Sequence, residues 1–233
     1  MSQNCFSATA TIAVASNFKP VVEKLQAIFE WQSSHRLLVV SSSTVVLYNQ
    51  ILNGAPFDLF LSADSTHPQL LEDKEIAVRG SSMTYALGQL SLVHREETIQ
   101  TIDDLPKLLS QSQTTLAIAN SKTAPYGKAA REVLDYLNIG QDQLRIVSAP
   151  NIALCYQMWH SGNTDLAFVS TSLIQDQNTI TVPQAMYSKI KQQAVLLKRA
   201  ANNDAAHEFF NFLKSKGAQQ LILKHGYQLA STL

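Results

Sequence analysis

The stretch Val39-Val40-Ser41-Ser42-Ser43-Thr44-Val45-Val46-Leu47-Tyr48-Asn49-Gln50-Ile51-Leu52-Asn53-Gly54 narrows the fold more than any other segment. A β-branched run ends in hydroxyls and continues as a helix: Leu47 and Ile51 repeat at i,i+4, and Gly54 followed by Pro56 supplies the stop. Ser42, Ser43 and Thr44 therefore fall at a helix N-terminus. The first amides of a helix have no intrahelical partner and the aligned peptide dipoles make that end partly positive, which suits an anion. At one isolated junction the ordinary role of Ser43 or Thr44 is to cap the helix, so recurrence of the pattern decides its meaning.

The pattern recurs three times. Thr9 to Ala15 reads as a buried strand, Ser16-Asn17 interrupts it, and Phe18, Val21, Val22, Leu25, Ile28 and Phe29 follow with helical period, Pro20 lying in the first turn. Thr115 to Ile118 leads through Ala119-Asn120-Ser121-Lys122-Thr123 into a helix carrying Tyr126, Ala129, Ala130, Val133, Leu134 and Leu137 on one face. Leu144 to Val147 leads through Ser148-Ala149-Pro150-Asn151 into a helix bearing Ile152, Cys155, Tyr156 and Trp159. Further strands are expected at Leu37 to Val40, Phe57 to Leu61, Tyr85 to Val93, Leu166 to Val169 (ending in Ser170-Thr171-Ser172) and Ala194 to Leu197. Ser62-Ala63-Asp64 is the expected cap of a helix over Pro68 to Asp73, and two amphipathic helices close the chain. Strands alternating with helices imply parallel sheets covered on both faces, with ligands at the carboxyl ends of the strands. The first two junctions are spaced as neighbours in one lobe and the last two in another. The expected crossings are Thr84 to Leu87 and Ser188 to Gln193, and a cleft between lobes is a favoured small-molecule site.

Composition removes several classes. The 233 residues hold 18 Lys plus Arg against 18 Asp plus Glu, so no basic surplus favours nucleic acid. No apolar run approaches the roughly 20 residues that span a bilayer. The N-terminal Met-Ser-Gln-Asn-Cys-Phe lacks the charged and apolar regions of a secretory signal, as expected of a cytoplasmic protein or of an exported one already processed. Cys5 and Cys155, 2 cysteines far apart, do not make a disulfide framework, and Cys155 on its apolar helix face is expected to serve packing. A lipid anchor on Cys5 has no lipobox upstream.

An enzyme could use helix N-termini to hold a phosphate or an oxyanion intermediate, but the chain has no Walker loop, no Gly-x-Ser-x-Gly elbow and no His pair at metal spacing. His35, His67, His94, His160, His207 and His225 are scattered, and a surface or helix-end place is expected for each. Asp58 is expected to be a structural hydrogen bonder and Asp64 a cap, rather than an acid and base pair. A ligand-sensing transcriptional regulator would need a DNA-binding segment that the sequence does not contain.

With these residues in view, the chain resembles the periplasmic molybdate-binding proteins of molybdate ABC transporters over nearly its whole length. The resemblance is carried by Ala13-Val14-Ala15-Ser16-Asn17-Phe18 with Pro20, Gly54-Ala55-Pro56-Phe57-Asp58-Leu59-Phe60-Leu61-Ser62-Ala63-Asp64, and Ala124-Pro125-Tyr126-Gly127. Gly162-Asn163-Thr164-Asp165-Leu166-Ala167-Phe168-Val169, Ala194-Val195-Leu196-Leu197-Lys198 and Gly226-Tyr227 complete it. It implies an α/β, two-lobed type II periplasmic-binding-protein fold, each lobe a mainly parallel sheet flanked by helices, with the ligand in the interlobe cleft. The implied lobes are residues 1–84 plus 194–233 and residues 85–193.

The function the resemblance implies is binding of molybdate or tungstate in the periplasm by a monomer, with no cofactor, no cation ligands and no charged side chain on the oxyanion. Delivery would be to the membrane permease of the transporter. The family's ligand contacts fall on Ser16, Asn17, Ser43 and Thr44, and on Tyr126 and Ile152 through their backbone amides. The alternative ligands are other tetrahedral oxyanions: sulfate, chromate or phosphate. The chain departs from its relatives at Val45, where they usually carry Gly, and at Ser170, where some carry Tyr.

Overall fold

The computed structural model describes residues 8–95, 99–110, 114–140, 145–174 and 179–230. Cys5 and Leu144 lie outside them. The chain divides into two compact units, unit 1 comprising Met1–Leu87 with Lys191–Leu233 and unit 2 comprising Gly88–Ile190.

Unit 1 begins β1 (Thr9–Ala15), α1 (Lys19–Gln32), β2 (Arg36–Ser42), α2 (Thr44–Leu52), β3 (Leu59–Ser62), α3 (Thr66–Asp73) and β4 (Met83–Gly88). In unit 2 follow β5 (Leu90–His94), α4 (Leu105–Leu109), β6 (Thr115–Ala119), α5 (Pro125–Tyr136), β7 (Arg145–Ala149), α6 (Ile152–His160), β8 (Leu166–Ser170) and β9 (Thr179–Thr181). The chain returns through β10 (Ile190–Leu196) to α7 (Asp204–Phe212) and α8 (Lys216–Lys224).

In unit 1 the sheet order is β2-β1-β3-β10-β4, with β1 parallel to both β2 and β3 and β10 antiparallel to β3. In unit 2 it is β7-β6-β8-β5-β9, with β6 parallel to β7 and β8, and β5 antiparallel to β8 and β9. Each sheet is thus a parallel trio extended through an antiparallel pairing, by β10 in unit 1 and by β5 in unit 2. The trios are joined by α-helical crossovers, which hold their strands parallel. Strand β10 enters unit 1 straight from unit 2 rather than over such a crossover, and that constraint does not apply to it.

The inner strands β1 and β3 are buried on both faces, so they are apolar without alternation, whereas the edge strand β2 exposes Leu38 and Val40. Ile12, Val14, Leu59 and Leu61 pack with Val21, Val22, Leu25 and Phe29 of α1 and Phe209 of α7. Ala13, Phe60 and Val195, facing the opposite way, pack with Leu47 and Ile51 of α2 and Leu71 of α3. Asp58 extends the β1–β3 ladder: it accepts from the Thr11 amide at 2.8 Å, its own amide donates to Thr11 O, and Arg199 lies 3.4 Å away.

Three expectations are corrected. The apolar run from Tyr85 to Val93 is two strands in two sheets, β4 and β5 parting at Gln89; both are buried, so hydrophobicity runs through the break. Helix α3 starts at Thr66 with Ser65 in the cap position, although Asp64 still accepts from the first-turn amide of His67 at 3.0 Å. His94 is neither surface nor helix end but a buried residue of β5.

Candidate functional site

In unit 1 the parallel trio brings three loops to one edge of the sheet. The register Ala15↔Ser42 sets the Ser16-Asn17 turn beside the end of β2, and the Ser16 amide donates to Ser42 O at 2.9 Å. The turn closes into α1 when the Phe18 amide bonds Ala15 O, also at 2.9 Å. After β2 the chain stays extended at Ser43 (φ −73, ψ 154) and winds into α2 from Thr44.

Ser43 occupies the cap position, yet its hydroxyl makes no capping bond. It is 3% exposed, and its Oγ has no hydrogen-bond partner among the described residues. The amides of Thr44, Val45 and Val46, the first three of α2, likewise have none there. Thr44 is buried, and its Oγ1 accepts from the Ala63 amide at 3.1 Å, tying the loop after β3 to the same edge. A hydroxyl that accepts still has a proton to donate. Ser16 and Asn17 are buried beside these groups. Asp64, just after β3, is engaged by the Ser62 hydroxyl and by the amide and ring of His67. The edge is therefore a set of neutral donors over a helix N-terminus.

Unit 2 repeats the plan with other means. The Asn120 amide donates to Ala149 O at 2.8 Å, joining the loops after β6 and β7. Helix α5 opens with Pro125, whose missing amide would be unpaired at that position anyway, and Tyr126 follows, 1% exposed. At Gly127 a Cβ would stand 2.2 Å from Ala119 O, so only glycine allows the helix to start so close to the end of β6. The Ser170 hydroxyl, at the end of β8, donates to the Tyr126 hydroxyl at 3.0 Å and shares a 2.7 Å bond with Ser172. Helix α6 is capped by Asn151, whose Oδ1 accepts from the Leu154 amide at 3.1 Å. That leaves the amides of Ile152 and Ala153 without a partner among the described residues.

Ser16, Asn17, Ser43 and Thr44 are thus brought together in unit 1, and Tyr126 and Ile152 stand at neighbouring helix starts in unit 2. Among the described residues no group of three or more His, Cys, Asp or Glu could hold a metal ion, and no helix is long and apolar enough to cross a membrane. Cys155 is fully buried in α6, and burial pushes its thiol up to about 12, so it packs and does not ionise.

Residues 10–228 match the model of the bacterial extracellular solute-binding proteins. The chain belongs to that family. This solute-binding protein is 36% identical over 231 residues to the molybdate-binding protein ModA of Azotobacter vinelandii, covering 96% of this chain and 91% of the relative. It is also 36% identical to ModA of Rhodobacter capsulatus, over 92% of this chain and 86% of that one. The solved periplasmic molybdate-binding protein of Azotobacter vinelandii superposes with a TM-score of 0.88 at 32% identity, covering 94% of this chain and 99% of the other. The relatives are binding proteins, and the two-lobed fold is theirs.

Sequence reasoning gave Gln192 no part in the site, placed Tyr227 only within the Gly226-Tyr227 motif, and named Ser170 only as a departure from the relatives. Ser170 touches Tyr126, while Gln192 and Tyr227 touch Asn17. A signal for Gln192 was available: in β10 it lies between Ile190 and Ala194 on the buried alternation, where a carboxamide is out of place without a partner.

Proposed function

We propose that this protein binds molybdate or tungstate in the periplasm and delivers it to the membrane permease of an ABC transporter, without catalysis and without a cofactor. The observation that supports this best is the buried Ser43 hydroxyl, unpartnered beside the three unpaired amides of α2. A buried unsatisfied hydroxyl costs about 1–3 kcal/mol, and an oxyanion at that helix start would satisfy it. In this reading the oxyanion takes its hydrogen bonds from Ser16, Ser43 and Thr44 and from the backbone at Asn17, Tyr126 and Ile152, the Asn17 side chain being committed to Gln192 and Tyr227. The family and the 36% identity to molybdate-binding relatives support the choice of ligand.

Neutral donors reach micromolar affinity on energetic grounds once each bond contributes about 2 kcal/mol. Hydrogen bonds to a charged group contribute about 1.5–3 kcal/mol each, so six give about 9–18 kcal/mol. Association costs at least about 4 kcal/mol, and a micromolar complex needs about 8 kcal/mol. Protonated phosphate is disfavoured at the main-chain amides, which only donate and offer no acceptor for its proton.

Thermal unfolding tests the proposal. A ligand that binds only the folded state raises Tm by mass action, so molybdate and tungstate are expected to raise it and sulfate and phosphate to do so weakly. No shift at millimolar molybdate would overturn the assignment. Thr44→Val and Asn17→Ala are each expected to weaken molybdate binding more than tenfold in calorimetric titration.

A further inference from the structure

We propose that Gln192 and Tyr227 are positioning residues of the oxyanion site, holding the Ser16-Asn17 turn in its binding geometry from strand β10 and from the segment after α8. The inference rests on the functional reading above and goes beyond it, since neither residue is among the donors.

Asn17 is 1% exposed, and its Nδ2 donates to Gln192 Oε1 at 2.8 Å and to the Tyr227 hydroxyl at 2.9 Å. The Tyr227 hydroxyl in turn donates to the Asn17 carbonyl at 3.1 Å. Both the side chain and the main chain of the turn are therefore held by one phenol, and the carboxamide plane is fixed by a second contact. The Asn17 carbonyl belongs to the peptide that leads into Phe18, whose amide is bonded back to Ala15 O. With both ends of that peptide fixed, the turn has little freedom to reorient, and Ser16 is presented to a ligand without reorganisation.

The clamp is itself rigid. Gln192 is 0% exposed, and its neighbour Gln193 is in register with Ser62 of β3. The Tyr227 ring is 3% exposed and packs edge-on against Phe18 with centroids 5.4 Å apart. The partners lie 175 and 210 residues away from Asn17 in sequence, so this arrangement is made by the tertiary fold and not by the local turn. An apolar side chain of Gln192's size would fill the same space; what the carboxamide adds is an acceptor aimed at Asn17. Gln192 also stands second after Ile190, where the chain passes from unit 2 to unit 1, so the crossing strand and a donor loop are hydrogen-bonded directly.

The test uses the whole chain and molybdate, with Tyr227→Phe and Gln192→Met, which keep size and remove the hydrogen bonds. Each is expected to weaken molybdate binding about tenfold by calorimetry while the ligand-free Tm stays within a few degrees of the parent. In the Asn17→Ala background the loss due to Gln192→Met is expected to vanish and that due to Tyr227→Phe to shrink to what its bond to the main-chain carbonyl contributes, whereas in the Ser43→Ala background both persist in full. A purely structural brace would instead lower Tm equally in every background and leave affinity unmoved. Unchanged affinity in both variants of a parent that binds molybdate, or full additivity with Asn17→Ala, would overturn the inference alone. A parent that binds neither molybdate nor tungstate would overturn the functional reading and this inference with it.

Discussion

In unit 1 the start of α2 presents the buried Ser43 hydroxyl and the helix's own first residue, Thr44, together with three amides unpaired among the described residues, and the turn after β1 contributes Ser16. In unit 2 the starts of α5 and α6 offer main chain: the one cap side chain there, Asn151, is already bonded to Leu154, and what remains at α6 is the amides of Ile152 and Ala153. The proposed contacts of unit 1 are therefore written mostly in side chains and those of unit 2 in backbone position. A side-chain substitution can erase a donor in unit 1 with the fold intact. In unit 2 the same result requires moving a helix.

The largest effect expected from this difference is at Gly127. A methyl group there would meet Ala119 O at 2.2 Å and Ala119 C at 2.7 Å, both backbone atoms that cannot rotate away. Gly127→Ala must displace the start of α5 or the end of β6. Overpacking costs about 1–3 kcal/mol where side chains can yield, so about 3 kcal/mol or more is expected here, read as a lowered urea midpoint. Molybdate affinity is expected to fall as well, because Tyr126 moves with the helix. In unit 1, by contrast, the early α2 position Val45 carries a β-branched side chain and is only partly buried. A Gly127→Ala protein with parental stability and affinity would break the contrast.

The same difference explains what was legible in the sequence. The strand, hydroxyl, helix junctions are local patterns, and Ser16, Ser43, Thr44, Tyr126 and Ile152 all stand at helix starts or the turn before one, as the period of their flanking apolar residues requires. Whether the Ser43 hydroxyl caps its helix is not local: in α6 and α8 the cap side chains of Asn151 and Ser215 accept a first-turn amide, and in α2 that of Ser43 does not. Strand β9 has 3 residues and α4 has 5, too few to display a period. The clamp on Asn17 depends on partners from the other end of the chain, and only the misplaced polarity of Gln192 betrays it.

Ser43→Ala sharpens the comparison with a smaller but more diagnostic effect. Since the hydroxyl makes no cap bond, its removal forfeits none, and the cost of burying an unsatisfied group disappears. Ligand-free stability is expected to stay level or to rise by up to about 1 kcal/mol, while molybdate affinity falls about tenfold, equivalent to about 1.4 kcal/mol. Asn151→Ala in unit 2 is the mirror image, losing about 1 kcal/mol of stability because that side chain does cap. A loss of stability on Ser43→Ala would show that its hydroxyl serves the fold and not a ligand.

Acid offers the smallest test, and it again treats the units differently. In unit 2 the hydroxyl and amide of Thr115 donate to Asp165 Oδ2 at 2.6 and 2.7 Å. Those two bonds, with Arg145 nearby, hold the carboxyl below its ordinary 3.8 against a desolvation that would raise it. In unit 1 burial alone would raise the Glu72 carboxyl, yet hydrogen bonds from Ser82 and Gly80, together with Arg79, leave it lowered. A carboxyl lowered on folding contributes stability above its unfolded pKa and loses it as the pH falls through the folded one. Both contributions are therefore complete at pH 6 and are withdrawn at and below about pH 4. Asp165 is solvent-exposed, which screens its share to below about 1 kcal/mol. Asp165→Asn is expected to lower the urea midpoint slightly at pH 7, with the gap to the parent closing as the pH falls below 3.8 and through the lowered folded value of Asp165. The acid sensitivity that the variant keeps belongs in part to Glu72, whose carboxylate accepts the Gly80 and Ser82 amides at 2.8 Å each. A gap that stays constant as the pH falls from 7 through the acid-unfolding range would mean that the Asp165 charge contributes nothing to unit 2, and that its acceptor oxygen alone holds Thr115.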